Sequence, residues 1–214
     1  MTFDRGRRVE PGNLETWKPG IQNLDLQAEL DTTLRKIGRN VLHLQRKEAM
    51  LKFLVSRSRI EGTASVLQST HEKAVEAVSR QTLGNLVKAF LNAAYSSQAC
   101  EGESSMDVDE VWFSASFKID ASPVEAAQRR EALERIVEER NKLIHQTLSK
   151  FDQTSVESCR KLAMALDQQN ERIVPEYESL RALVIAVKDG YLRTLDALES
   201  SVDLGTTSIN SRHH

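Results

Sequence analysis

The stretch "SPVEAAQRREALERIVEERNKLIHQTLSK", residues 122–150, decides how this chain is read. Ser122 offers a side-chain oxygen as an N-cap, and Pro123 takes the first helical position, where its missing N–H costs nothing. Glu125 stands at the third helical position and can reach back to close a capping box. Beyond this start Leu133, Val137, Ile144 and Leu148 fall on one apolar stripe, with Arg140 and Leu143 beside it. The spacing predicts a helix from Pro123 to about Lys150.

Upstream, Leu30, Leu34, Ile37, Val41, Leu44, Leu51 and Val55 recur at steps of three, four and seven, predicting a long helix from about Leu24 to Ser58. The stretch "SRSRIEGTAS" then breaks it. Ser69 to Glu72 has the form of a capping box, which opens a helix carrying Val75, Val78, Leu83, Leu86, Val87, Phe90 and Leu91, with Gly84 a point where it can divide. After the polar run "SSQACEGESSMD", Val111, Phe113, Ala115, Phe117 and Ile119 alternate with polar neighbours, so a short β-like insertion at about 108–120 is expected, as a hairpin arm or an extended cover over helices.

Downstream, "KFDQTS" stops the helix, and Thr154 with Glu157 can cap the next, which carries Val156, Cys159, Leu162, Leu166 and Ile173 up to Pro175, where it should end or kink. Tyr177, Leu180, Val184, Val187, Tyr191, Leu195 and Leu198 continue a heptad-like rhythm to about Ser200. Such a rhythm serves either packing inside one domain or a seam between molecules. The chain thus reads as all-α: an antiparallel bundle of four to six helices, with an irregular arm over residues 1–22, a helical domain over 23–200 and a flexible tail over 201–214. Trp17 is expected to pack the arm on the body.

Composition agrees. Only 9 glycines and 4 prolines punctuate 214 residues and aromatics are 5%, a scarcity of breakers and β-formers that favours helices. A net charge of −2 provides no global attraction for polyanions, so nucleic-acid binding would need a local basic site. Cys100 and Cys159 show no CxxC spacing, which fits buried thiols in a reduced, cytoplasmic protein. The beginning "MTFDRGRRVEPGN" lacks the apolar core of a signal peptide, and no membrane partner is expected. Phosphate-loop, dinucleotide, nucleophile-elbow and zincin motifs are missing. The five histidines, His43, His71, His145, His213 and His214, form no metal-ligand pair outside the tail, and Glu138 with Glu139 reads as a solvated face, so neither metal nor cofactor is expected.

The chemistry concentrates in "RNKLIH", residues 140–145. A histidine that titrates near neutrality can take a proton from a ribose 2′-OH or give one to a leaving 5′-oxygen. A forked, permanently charged arginine can hold the scissile phosphate, and Asn141 can bind phosphate or fix the imidazole. On a regular helix Asn141 lies beneath His145, but Arg140 and His145 stand about 140° apart and roughly 7–8 Å along the axis. That geometry asks for a homodimer in which facing helices share one cleft.

Arg140, Asn141 and His145 also form the string Arg-Asn-x-x-x-His, which resembles the signature of the HEPN superfamily (higher eukaryotes and prokaryotes nucleotide-binding domains). The resemblance implies a compact helical domain, usually dimeric, with these three residues in the catalytic positions of a metal-independent endoribonuclease cutting single-stranded RNA. It further implies a toxin or phage-defence effector with an antitoxin or other operon partner. It covers the motif helix and the general bundle layout. Thr147 stands where toxins paired with minimal nucleotidyltransferases carry a tyrosine, so regulation through that tyrosine is not carried over. The alternative from another class is a non-catalytic helical dimer serving as an RNA-binding or protein-scaffolding module.

Overall fold

The computed structural model describes residues 19–63, 65–95 and 112–209, together with the side chains of 24–63, 65–95, 112–194 and 196. Trp17, Cys100, Val111 and the terminal histidines lie outside these residues. The element order is α1 (Pro19–Ser56), β1 (Arg59–Thr63), α2 (Leu67–Ser79), α3 (Leu83–Tyr95), β2 (Trp112–Ser116), α4 (Pro123–Asn141) and α5 (Val156–Ile209). A π-helical segment, Lys142–Thr147, and a 3-10 turn, Leu148–Lys150, prolong α4. The protein is therefore an all-α helical bundle with one small β insertion.

The two longest helices form its spine. On α5 the buried positions Cys159, Leu166, Ile173, Leu180 and Val187 recur seven residues apart. On α1 Thr33, Asn40, Lys47 and Leu54 do the same, with Ile37, Leu44 and Leu51 between them. Contacts step in one direction along both helices. Thr33 Oγ1 donates to Cys159 O at 3.0 Å, Asn40 Nδ2 donates to Leu166 O at 2.8 Å, and Tyr191 Oη donates to Arg57 O at 2.6 Å. α1 and α5 therefore run parallel, in a coiled-coil-like seam whose polar residues fix its register. The heptad-like rhythm from Tyr177 to Tyr191 is used inside the domain, against α1. It also explains why Pro175 does not end the helix: the apolar register is unbroken on both sides, so packing carries α5 past the lost hydrogen bond.

α4 is antiparallel to α5, since Arg129 pairs with Glu176 and Glu139 with Arg172. α3 fills the space between α1 and α4 with Leu86, Val87, Phe90 and Leu91. The core of α4 is Leu133, Ile136 and Leu143, with Val137, Ile144 and Leu148 partly buried. Ile136 was missing from the expected stripe, and Leu143 lies at its centre rather than beside it.

Several local expectations are corrected. Among the described residues β2 pairs with no neighbouring strand as a hairpin but antiparallel with β1, the segment read as a simple break, with Ile60 opposite Ala115. Its alternation holds, with Phe113, Ala115, Phe117 and Ile119 turned inward, and the Ile119 amide donates to Ala94 O at 2.9 Å. β1 is hard to see because Gly62 interrupts it. There φ is +147°, and a Cβ would lie 3.1 Å from Val66 Cγ2. Ser69 is not an N-cap, because α2 begins at Leu67 and the Ser69 hydroxyl donates to Val66 O. The α2–α3 break falls before Leu83, with Gly84 already inside α3. Ser155 caps α5, accepting from the Ser158 amide at 3.2 Å, while Thr154 donates to Asp152 in a separate turn. At the ends, residues 19–22 are helical rather than an irregular arm, and the α5 backbone continues past Ser200 to Ile209.

Candidate active site

α4 starts as its sequence requires. Ser122 is extended (φ −63°, ψ 157°), its Oγ accepts the Glu125 amide, and Glu125 accepts the Ser122 amide at 2.8 Å. The far end departs from a regular helix. The Lys142 amide is shared between Glu138 O and Glu139 O, and the Leu148 amide reaches Leu143 O, five residues back. A turn closed by bonds to the fifth residue is wider than an α-turn, and such segments recur at functional sites.

This wider turn overturns the expected divergence of Arg140 and His145. The Arg140 Nη1 lies 3.4 Å from His145 Nε2 and donates to Asn141 Oδ1 at 3.1 Å. One helix in one molecule thus brings the three candidate residues together, and the offset that asked for a second copy is gone. Asn141 touches Arg140 rather than sitting beneath His145. If the Arg140 contact is a hydrogen bond, Nε2 is the unprotonated ring nitrogen and the imidazole proton sits on Nδ1.

Asn141 and His145 are exposed and Arg140 is half-buried. Beside them a shallow groove of about 400 Å³ is lined by Arg135, Glu138, Glu139, Asn141, Lys142 and Gln146. Under the exposed cluster lies Leu143, fully buried, which pins the turn to the core.

Glu139 is not a solvated carboxylate, unlike its exposed neighbour Glu138. Its side chain is 13% exposed and accepts Arg172 Nε at 2.7 Å and Gln169 Nε2 at 3.0 Å. Burial pushes its carboxyl up, but the hydrogen bonds from Arg172 and Gln169 outweigh that and hold it below the usual carboxylate range. Gln169 was not a sequence candidate. Its amide also donates to the Glu139 carbonyl at 3.1 Å, at the turn where the helix changes register. A glutamine on the inward stripe of α5 was the one available signal.

Among the described residues no group of three or more His, Cys, Asp or Glu side chains could hold a metal ion, and no helix is long and apolar enough to cross a membrane. Cys159 is a buried free thiol. Compared with protein-family models, curated proteins and solved structures, the chain matches none.

Proposed function

We propose that the protein is a HEPN-like, metal-independent endoribonuclease acting on single-stranded RNA. One observation carries the reading: a guanidinium, a carboxamide and an imidazole converge on a solvent-open turn, with Arg140 Nη1 within 3.4 Å of His145 Nε2. A phosphodiester placed there would meet a fixed cation and a proton-transfer group together. His145 takes the proton of the 2′-OH, and the 2′-oxygen forms a bond to phosphorus as the bond to the 5′-oxygen breaks. A protonated imidazole gives its proton to that 5′-oxygen, leaving a 2′,3′-cyclic phosphate. Arg140 stabilises the charge on the phosphoryl oxygens, and Asn141 orients the guanidinium.

One imidazole cannot be base and acid in the same step. A homodimer with the two turns facing across a two-fold axis would supply one neutral and one protonated histidine, which is now the reason to propose it. A toxin or phage-defence role with a partner protein belongs to the same proposal.

Labelled single-stranded RNA incubated with the protein in excess EDTA tests it. Wild type should cut, DNA should survive for lack of the 2′-OH, and His145→Ala and Arg140→Ala should lose activity while staying folded. Cleavage that requires magnesium, or persists in His145→Ala, overturns the assignment. Loss of folding or association in His145→Ala would favour the non-catalytic helical module.

A further inference from the structure

We propose that Gln169, held by Asn40, is a positioning residue that keeps Arg140 and His145 together by bonding the turn beneath them. The inference rests on the proposed catalytic role of those two residues, but its geometry stands apart from it. Asn40 is fully buried and Gln169 nearly so, in a seam whose other buried side chains are mostly apolar, Thr33 and Lys47 apart. Burying two carboxamides there is costly unless their polar atoms find partners, and here they do so directionally. Asn40 Nδ2 donates to Leu166 O at 2.8 Å and to Gln169 Oε1 at 3.0 Å. Gln169 Oε1 is therefore an acceptor, which leaves its Nε2 as the donor. That nitrogen reaches α4 at one residue only, bonding Glu139 O at 3.1 Å and Glu139 Oε2 at 3.0 Å.

Glu139 immediately precedes Arg140, and its carbonyl already shares the Lys142 amide with Glu138 O. An outside donor on that carbonyl competes with the regular bonds of the helix and favours the wider turn that follows. In a regular α-helix Arg140 and His145 would stand about 140° apart. The chain of bonds from Asn40 through Gln169 to Glu139 therefore links the α1–α5 seam to the contact between the two candidate catalytic side chains. Arg172 adds a second hold on the Glu139 carboxylate at 2.7 Å.

Gln169→Met removes the donor at similar volume. His145 ring resonances of the whole protein, recorded by NMR, provide a readout that a mere packing role would not move. They should shift in Gln169→Met towards their position in Arg140→Ala, with faster hydrogen exchange at the Thr147 and Leu148 amides. RNA cleavage should fall about 10–100-fold in kcat, the scale expected when a catalytic group is misplaced by about 1 Å. Ring resonances unchanged from wild type, with only the melting temperature lowered, overturn the proposal. If Gln169→Met fails to fold, Asn40→Leu with Gln169→Leu removes both partners, which leaves no orphaned amide. That pair should fold and show the same ring shift; if it too fails to fold, the bonds serve the core in general and the proposal is overturned. A wild type that cuts no RNA defeats the functional reading alone, because the ring shift is scored without substrate.

Discussion

The two ends of α4 are built by opposite means. At Ser122 every bond that starts the helix lies within four residues and in solvent: the hydroxyl on the Glu125 amide, the carboxylate on the Ser122 amide, and the ring of Pro123. At Asn141 the helix does not stop but widens, and a determining contact comes from α5, through Gln169 on the Glu139 carbonyl. The first end follows from local chemistry, so it can be read from four letters. The second end is set across the fold, and it carries the residues with chemistry to offer. Deleting side chains at the two ends should therefore have opposite signatures: lost stability with chemistry intact at one, lost chemistry with the fold intact at the other.

The largest expected effect is His145→Ala. Removing the proposed proton-transfer group should cost about 10²–10⁴-fold in the proposed RNA cleavage. Because the side chain is exposed, stability should stay within about 0.5 kcal/mol in urea denaturation. A fall in stability to match the fall in rate would erase the contrast. Next comes Leu143→Ala, on the same turn but pointing inward and only 1% exposed. A cavity there should destabilise the protein by about 2–5 kcal/mol. It should also loosen the Arg140–His145 contact, so rate and stability fall together, a combination neither end shows alone. Denaturation and single-turnover cleavage on one preparation separate the two variants.

Most of the helices were legible because their apolar residues recur at helical spacing and exposed polar side chains interrupt them predictably. The stretch Ser122 to Glu125 was legible down to its individual hydrogen bonds. What escaped notice depended on partners far along the chain. β1 was invisible because a five-residue strand around Gly62 has no pattern until β2 lies beside it. Pro175 reads as an end or a kink in the sequence, and that the helix does not end there depends on the stripe holding α5 to α1, a tertiary fact. In the candidate site the residue types Arg140, Asn141 and His145 were legible as a string. Their meeting was not, because a regular helix was assumed where the Glu139 carbonyl has an outside donor. Lys47 is not legible in the sequence, because a cation on the buried face is a choice no spacing rule makes.

Lys47 sharpens the comparison from inside the core. It is fully buried, its Nζ has no hydrogen-bond partner among the described residues, and burial pushes it down to about 8 although Glu176 pulls the other way. Its folded value lies below the unfolded 10.5, so between those values the unfolded chain holds more protons. Stability should therefore rise with pH from about 8 to 10.5, by up to roughly 3 kcal/mol if Lys47 acted alone. Lys47→Met should abolish that rise and stabilise the protein near neutrality by about 1–3 kcal/mol. Denaturation midpoints of both proteins across this window check the sign; a wild-type curve that does not rise there, or a rise that the variant shares, overturns the assignment to Lys47.

The smallest effect belongs to the legible end. Ser122→Ala deletes the oxygen that accepts the Glu125 amide at 3.3 Å and donates to its carboxylate at 2.8 Å. Loss of an N-cap typically costs about 1 kcal/mol, whereas glycine at the same place costs only a few tenths. Alanine should therefore be worse than glycine, an order that packing or propensity alone would reverse. Hydrogen bonds from the Ser122 side chain and backbone hold the Glu125 carboxyl below its usual value. The part of the stability that depends on its charge is present above about 4.5 and lost as pH falls through the depressed folded value. Ser122→Ala should accordingly flatten the acid limb of the stability profile and leave RNA cleavage unchanged. Cleavage that falls along with stability in this variant would mean that the two ends of α4 communicate, and that the site depends on the whole helix rather than on its last turn.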